Sequence, residues 1–275
     1  MTIEDPIMMM SPAAPRGRGR AGPRRSLDLL ILCGRIALVS CVLGALYEAE
    51  MQRRDHAYVS ALAQRIVARS HASTTSERIV ALRDYLRAHI EDSHVADGDL
   101  PYLRAAASET LATGRGGPGD VARAFVDLAW AVGIPAQRLC LFGQTDHVAA
   151  EARLDDGRIV IVDGTRAPQI VSLETVDEVL AGGWFQDHTT LNLRRLHLGF
   201  LVSRVRLEIG WISYLAENPH LIKSLLWAFV FCALALVALA RAAFRRFLHR
   251  RGWVHSSTLD PEGAVERNAV VRVSR

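Results

Sequence analysis

Two long apolar runs constrain what this chain can fold into more than any other feature. The first covers residues 27–47, and the second covers residues 224–240 with Leu221 and Ile222 just before it. A helix needs about 20 predominantly apolar residues to cross a bilayer, with about 17 as a lower bound. Arg35 interrupts the first run at an insertion cost of about 3 kcal/mol, which the surrounding Leu, Ile and Val residues offset. We therefore predict two transmembrane helices, at residues 27–47 and 221–241.

Arginines cluster on the outer side of both runs, in residues 16–25 and 241–251. The positive-inside rule then places both termini in the cytoplasm and the central residues on the far side of a cell inner membrane. A nucleic-acid binder would carry its basic residues on a folded face with aromatic residues nearby. The partner predicted from this arrangement is the lipid bilayer, and no nucleic acid.

Two other interpretations of the apolar runs are open. The first run, preceded by Pro23, Arg24 and Arg25, could be a cleaved signal peptide, although no clear cleavage site precedes a polar mature start. That processing would leave one anchor instead of two. Burial of both runs as core helices is disfavoured by their length and their one-sided basic flanks.

The remaining organisation follows from composition. We predict a disordered basic cytoplasmic tail at residues 1–26, an extracytoplasmic domain at 48–190, a juxtamembrane segment at 191–220 and a second basic cytoplasmic tail at 242–275. Trp211 and Tyr214 suit the membrane interface before the second span. Cys140 is the only cysteine between the two apolar runs, so this domain has no internal disulfide.

The central domain shows helical patterns followed by strand patterns. Apolar residues recur at helical spacing in residues 48–69, 76–89 and 120–132, with Ser76 as a cap of the second helix and Gly133 ending the third. The pair Asp156-Gly157 lies between two strand-like stretches and predicts a β-hairpin. A short helix is expected at residues 173–180. Helices preceding an antiparallel sheet indicate the α+β class.

The motifs of this domain come in an informative order. A glycine-rich stretch, TGRGGPGD, leads into the apolar helix at residues 120–132, and GIPAQR ends that helix. His147 follows with Glu151 four residues later, then the hairpin, and then Asp163-Gly164-Thr165. This order resembles the transglutaminase-like superfamily, a papain-like cysteine-protein fold with its parts permuted. The resemblance covers roughly residues 101–165, and it implies a transglutaminase-like α+β domain between the two transmembrane helices.

The resemblance also implies the site. In the family a cysteine opens the core helix, where the helix dipole favours a thiolate, and a histidine and an aspartate follow on neighbouring strands. His147 stands at the position of the base and Asp163 at that of the orienting acid. Pro118 occupies the nucleophile position, and its ring has no titratable or nucleophilic group. Ala149 replaces a family tryptophan, and Glu151 matches a strand residue of the pattern.

Other chemistries are weighed against this interpretation. Cys140 lies on the preceding strand, and Thr113 and Ser108 lie at the wrong end of the turn to replace the nucleophile. His147 and Asp163 could activate a water, or hold a metal with Asp146 or Glu151, but two or three ligands without clear spacing are a weak metal signal. Taken singly, His147 could be a loop residue, and Asp163 could cap a turn with Thr165. His188, His197 and His220 are interpreted as solvated or interfacial residues.

We therefore expect a catalytically degenerate binding or accessory module of a bacterial cell envelope, with no cofactor and no metal. Its partner would be an envelope protein, a peptide or a glycan, and membrane-tethered relatives point to polysaccharide pathways. The first alternative is a cysteine-independent amide hydrolase that uses His147 and Asp163. The second is a transport or signalling component in which the spans matter more than the domain.

Overall fold

The computed structural model describes residues 23–93, 101–190 and 208–251. Seven α-helices lie in this part of the chain: α1 (Pro23–Ser70), α2 (Thr75–His89), α3 (Ala107–Thr113), α4 (Pro118–Ala131), α5 (Val176–Ala181), α6 (Trp211–Glu217) and α7 (Pro219–Arg250). Short 3-10 helices span Pro101–Leu103 and Gly183–Phe185. The strands are β1 (Glu91–Asp92), β2 (Arg115–Gly116), β3 (Ala136–Leu141), β4 (His147–Arg153) and β5 (Ile159–Val162).

Two of these helices are long and apolar enough to cross a membrane, namely the part of α1 from Ile31 onwards and α7. Large apolar side chains along both of them are more than half exposed, for example Leu43 and Leu236. Surfaces of this kind need an apolar environment, and a lipid bilayer provides one. The orientation of these helices and the kind of membrane stay predictions.

The described residues between 40 and 233 form one compact unit, and the outer parts of α1 and α7 belong to a second. The compact unit is built around an antiparallel sheet with strand order β3-β4-β5. One face of this sheet packs against α4 and joins the larger core, which also includes apolar residues of α1, α2 and α3. The other face forms a smaller core with α5 and Phe185. The α+β architecture agrees with the prediction.

Most of the predicted elements are found, with local corrections. The stripe predicted for α2 is fully buried at Ile79, Leu82 and Leu86, because these residues face α4. The cap of α2 is Thr74 and not Ser76, since the Thr74 hydroxyl accepts from the Glu77 backbone N–H while the Glu77 carboxylate accepts from the Thr74 N–H. The predicted helix at residues 173–180 forms only at Val176–Ala181, where Thr175 provides a similar cap.

Both predicted turns have the conformation that their glycines allow. Gly133 ends α4 with φ of 80°, and Gly157 turns the β4–β5 hairpin with φ of 86°. Both values lie in the left-handed region, which glycine adopts without steric cost. The register of the hairpin then follows, with Arg153 opposite Ile159 and Ala150 opposite Val162.

The described end of the predicted juxtamembrane segment packs against the domain. Helix α6 inserts the Glu217 carboxylate, 3% exposed as a residue, among three arginines whose side chains are at most 6% exposed. The closest atoms of Arg138, Arg104 and Arg123 lie 3.2, 3.6 and 3.6 Å from its oxygens. Residues 191–207, including His197, lie outside the described residues.

Tyr214 packs on the domain, whereas the sequence predicted that it lies at the membrane interface. Its ring packs on Trp130 at a centroid distance of 5.2 Å, and burial raises its pKa to about 12. Trp211, three residues earlier, is 62% exposed. The two aromatic residues of α6 therefore have different environments, because Tyr214 lies on the face that packs on the domain.

Helices α1 and α7 contact each other where they meet the domain. His220 Nδ1 lies 2.7 Å from a carboxylate oxygen of Glu48, and the Ser224 hydroxyl donates to the Ala45 carbonyl at 3.2 Å. A Cβ atom at Gly44 would lie 2.8 Å from the Trp227 ring, so only glycine admits this approach. His220 is thus paired with a carboxylate and is not an ordinary solvated residue, and its interpretation as an interfacial residue stays a prediction.

Candidate active site

His147 is the first residue of β4, and its side chain is placed by the strand register. It lies opposite Leu141 of β3, so both side chains point to the sheet face that carries the smaller core. The imidazole is largely buried, and its ring centroid lies 5.5 Å from that of Phe185. Phe185 therefore limits how far the His147 ring can turn.

Asp163 follows β5 directly and is held by the loop that begins there. Its Oδ1 accepts from the Thr165 hydroxyl at 2.6 Å and from the Thr165 backbone N–H at 3.1 Å. Its Oδ2 accepts from the backbone N–H groups of Gln169 and Ile170 at 2.9 and 3.3 Å. Four donors fix this carboxylate in one orientation. The alternative interpretation, in which Asp163 caps a turn with Thr165, is therefore also correct. Asp163 makes further contacts besides that cap.

The two side chains meet across the hairpin. His147 Nε2 lies 3.2 Å from Asp163 Oδ2, within ion-pair distance but without the alignment of a hydrogen bond. A carboxylate only accepts, so the proton of a neutral imidazole in this arrangement belongs on Nε2. Nδ1 is then the nitrogen that can take a proton from a ligand or a water.

The charge state of Asp163 suits an orienting role. Burial raises the pKa of this carboxyl, but His147 and the donors of Thr165 together hold the pKa below its ordinary value of 3.8. Asp163 is therefore ionised at neutral pH although it is only 1% exposed. A buried carboxylate of this kind can stabilise the imidazolium form of its neighbour.

Pro118 is the first residue of α4, and it is exposed. Proline suits this position because the first N–H groups of a helix have no intrahelical partner. The Asp120 carboxylate accepts from the Gly117 N–H at 3.1 Å and forms an ion pair with Arg123 at 2.9 Å. The start of α4 thus already carries a negative group of its own.

The turn after Asp163 adjoins the beginning of α4. A Cβ atom at Gly164 would lie 3.1 Å from Val121 Cγ1, and Val121 follows Pro118 by less than one helical turn. It would also lie 3.3 Å from Leu86 Cδ1 of α2. This close packing brings the turn after Asp163 next to the N-terminal turns of α4. The family pattern has a proline in place of Gly164, and its side chain would alter this packing.

Cys140 is turned away from His147. It lies opposite Val148 in the β3–β4 register, whereas His147 lies opposite Leu141. Successive side chains of a strand point to opposite faces, so Cys140 and His147 are on different sides of the sheet. Thr113 is engaged elsewhere, since its hydroxyl donates to the Glu109 carbonyl at 2.9 Å.

The described residues contain no cluster of three or more His, Cys, Asp or Glu side chains with the arrangement of a metal site. Glu151 is fully buried on β4, four residues from His147. Four residues of strand span about 13 Å, too far for the two side chains to hold one ion. His188 is also accounted for, because its Nε2 donates to the Thr145 carbonyl at 3.0 Å and its ring contacts Phe185.

Some residues that shape this site escaped the sequence analysis. The Arg87 guanidinium of α2 donates twice to the backbone carbonyl of Asp163, at 2.7 and 3.0 Å, and once to that of Ile170 at 3.2 Å. Phe185 ends a short 3-10 helix about forty residues after His147. Nothing local in the chain marks either residue, because both act through contacts made only after folding.

Comparisons with known proteins address the family directly. Residues 60–164 match the model of the transglutaminase-like superfamily. No curated protein matches the chain. The family assignment therefore depends on the match of these 105 residues (60 to 164).

Solved structures that match part of the chain include a candidate cysteine protease from Cytophaga hutchinsonii, with 20% identity and a TM-score of 0.36, covering 41% of this chain and 38% of that one. A candidate protease from Parabacteroides distasonis has 15% identity and a TM-score of 0.31, covering 52% and 31%. A structure described as a TGase has 13% identity and a TM-score of 0.34, covering 50% and 39%. The chain thus spans less than two fifths of each of these proteins.

The family match begins in α1 and ends in the turn after β5, so it contains α2, α4, the sheet, His147 and Asp163. The central region of this chain is therefore a transglutaminase-like domain of the transglutaminase-like superfamily.

Proposed function

We propose that this chain is a membrane-anchored binding or accessory module whose transglutaminase-like domain has lost covalent catalysis. The observation that carries the proposal is Pro118 at the first position of α4. Covalent catalysis needs an activated thiol or hydroxyl beside the base, and proline has neither. Cys140 does not replace it, since it lies on the opposite sheet face from His147.

The retained pair of polar side chains gives this site a binding role. His147 and Asp163 remain 3.2 Å apart, with Phe185 against the imidazole. An oriented imidazole beside an aromatic ring can hydrogen-bond an amide or a hydroxyl and pack against its apolar part. The ligand classes that fit are a peptide, a glycan or a segment of an envelope protein.

The proposed location is a bacterial inner membrane with both termini in the cytoplasm and the domain outside. The two helices long and apolar enough to span, together with the arginines at 16–25 and 241–251, support this topology. Reporter fusions after residue 190 and after residue 275 should show opposite sides of the membrane. Reporters on the same side would contradict the two-span arrangement.

The experiment that tests the loss of the nucleophile restores one. Pro118→Cys is introduced into the full chain with Cys33, Cys41, Cys140 and Cys232 replaced by serine, and Thr113→Cys in the same background is the control. We expect the new thiol at position 118 to react with iodoacetamide at a pH at least about one unit below the control, because a helix N-terminus lowers a thiol pKa and, if position 118 is the nucleophile position, His147 lowers it further. His147→Ala should remove most of this difference. Equal pH profiles at positions 118 and 113 would mean that position 118 is not the nucleophile position.

A second function is favoured by one observation, the ionised Asp163 beside His147, which could direct a water at an amide bond. The unmodified chain would then hydrolyse amide substrates slowly, and both His147→Ala and Asp163→Asn would abolish the turnover. Under the proposed binding function, neither substitution changes hydrolysis above background, whereas both weaken ligand binding.

A further inference from the structure

A groove of about 920 Å³ lies between the end of α1 and α2, on residues separate from His147 and Asp163. Its polar and aromatic lining includes Arg65, Arg69, His71, Tyr85 and His89. This volume is in the range of small-molecule sites in proteins. We call it the α1–α2 groove.

The acidic side chains of the α1–α2 groove already have partners. Glu77 accepts from the Thr74 and Ser73 N–H groups and from the Ser73 hydroxyl, and these contacts lower its pKa to about 2. Asp84 forms an ion pair with Arg83 at 2.8 Å. The partners of both carboxylates are therefore groups other than Arg65 and Arg69.

The two arginines lie one helical turn apart on α1, so their side chains share one face. Arg65 donates to the Ala61 carbonyl of its own helix at 3.2 Å. Among the described residues, no carboxylate lies within ion-pair distance of Arg65 or Arg69. Burial is the largest cause of the raised pKa of Tyr85, and Arg65 and Arg69 offset part of that rise. All three side chains line the groove.

Two histidines complete the basic lining. His71 has φ of 53°, a left-handed conformation in which a residue with a side chain is strained and glycine is usual. His89 stacks on Tyr85 at a centroid distance of 4.1 Å, and its Nδ1 donates to the Tyr85 carbonyl at 2.8 Å. Because Nδ1 carries that proton, Nε2 is the nitrogen left for a ligand.

The position of the groove along α1 indicates where a ligand would come from. Arg65 follows Tyr47, the end of the first apolar run, by 18 residues of continuous helix. At 1.5 Å per residue this separation is about 27 Å. Phospholipid headgroups next to the end of the apolar run do not extend that far from the membrane.

We propose that the α1–α2 groove binds a soluble ligand that carries a carboxylate or a phosphate group, with Arg65 and Arg69 on the oxyanion and Tyr85 and His89 against its ring or chain. Guanidinium groups hold both kinds of oxyanion through paired N–H donors. The function proposed for the site of His147 and Asp163 is independent of this groove.

The test is a calorimetric titration of the full chain in phosphatidylcholine nanodiscs with inorganic phosphate and, separately, with trigalacturonate. We expect saturable binding of at least one probe, and a loss of affinity of about tenfold or more in Arg65→Gln and in Arg69→Gln. Arg54→Gln is the matched control, since it removes the same charge from the same helix outside the groove, and it should change the affinity less than twofold. The two probes separate a phosphate from a carboxylate ligand.

The result that overturns the proposal is the absence of saturable binding for both probes, or equal losses in Arg54→Gln and the groove variants. Nanodiscs that contain phosphatidylglycerol test the origin of the ligand. We expect unchanged probe affinity there, whereas competition by the anionic lipid would assign the groove to headgroups and contradict a soluble ligand. Circular dichroism of the variants should match the unmodified chain, because Arg65 and Arg69 are exposed.

Discussion

Two buried aspartates of the same domain have opposite acid–base behaviour. Asp163 is 1% exposed and Asp127 is 6% exposed, yet the pKa of Asp163 lies below 3.8 and that of Asp127 lies well above it. Burial raises the pKa in both cases. The difference is in what surrounds the carboxylates, since Asp163 faces His147 and four hydrogen-bond donors, whereas Asp127 has Asp55 and Glu217 nearby.

The local backbone explains why the surroundings differ. Asp163 stands at the end of a strand, where the following loop turns its free N–H groups toward the carboxylate. Asp127 is in the middle of α4, whose N–H groups are used within the helix, and the Asn218 amide donates to it at 3.3 Å. Backbone N–H groups that are not paired within a helix or sheet can donate to a buried carboxylate and keep it ionised. The loop that follows a strand provides such groups, so it is a favourable position for a charged acid.

Among substitutions near the two aspartates, Glu217→Ala should lower the free energy of unfolding the most. The substitution leaves Arg104, Arg123 and Arg138 without their shared carboxylate, and breaking a buried ion pair costs about 3–5 kcal/mol. Urea unfolding of the full chain followed by tryptophan fluorescence measures the loss. Glu109→Ala, at an exposed position of α3, should change the free energy of unfolding by less than about 0.5 kcal/mol. A loss below about 1 kcal/mol for Glu217→Ala would show that the cluster is not structural.

Asp163→Asn should have the next largest effect, lowering the free energy of unfolding by about 2–3 kcal/mol at neutral pH. The hydrogen bonds to a charged group are lost, and the new amide N–H₂ faces the donors that bound the carboxylate. The advantage of the unmodified chain over this variant should be present above pH 3.8 and should disappear as the pH falls through the lower pKa of folded Asp163. Unfolding free energies between pH 2.5 and pH 7 measure this. A constant difference over that range would contradict the lowered pKa.

Asp127→Asn should have the opposite pH dependence. The raised pKa keeps folded Asp127 protonated while the unfolded chain ionises above pH 3.8, so the unmodified chain loses stability as the pH rises. The variant, which cannot ionise, should gain about 1.1 kcal/mol relative to the unmodified chain between pH 4 and pH 5, because the unfolded carboxyl is already partly ionised at pH 4. The same unfolding series records the gain. Parallel pH profiles for the two chains would mean that Asp127 is ionised in the folded protein.

Thr165→Val should have the smallest effect, a loss of about 1 kcal/mol, because it removes one hydroxyl donor at 2.6 Å and keeps the backbone N–H donors of Asp163. The pKa of Asp163 should rise in this variant, so the acid limb of the stability profile should move to higher pH. Thermal unfolding at pH 3 and pH 7 measures both quantities. An unchanged acid limb would assign the lowered pKa to His147 and the backbone alone.

The helices and the hairpin of the domain could be predicted from short-range patterns. The stripe of Ile79, Leu82 and Leu86 and the glycines at 133 and 157 act over a few residues, so the sequence indicates them directly. The caps were harder, since Thr74, Thr75 and Ser76 can all cap a helix and only the folded geometry selects Thr74.

In the candidate site, too, some residues could be predicted from the sequence and others could not. His147 and Asp163 lie on the two strands of one hairpin, so their order along the chain and the family pattern were enough to select them as a pair, and their role stays a prediction. Arg87 reaches the site from the earlier helix α2, and Phe185 reaches it from a later 3-10 helix. No spacing in the sequence relates either residue to the site.

The sequence by itself determined the two apolar helices, the α+β class and the transglutaminase-like family, because each depends on periodicity, composition or motif order that can be read along the chain. Only the tertiary structure decided that Glu217 would join three arginines of the domain, that Cys140 would face away from His147, and that two similar aspartates would differ in charge. These outcomes depend on burial and on distances between residues far apart in the chain, and the free energy of a charge is set by those neighbours and not by its position in the sequence.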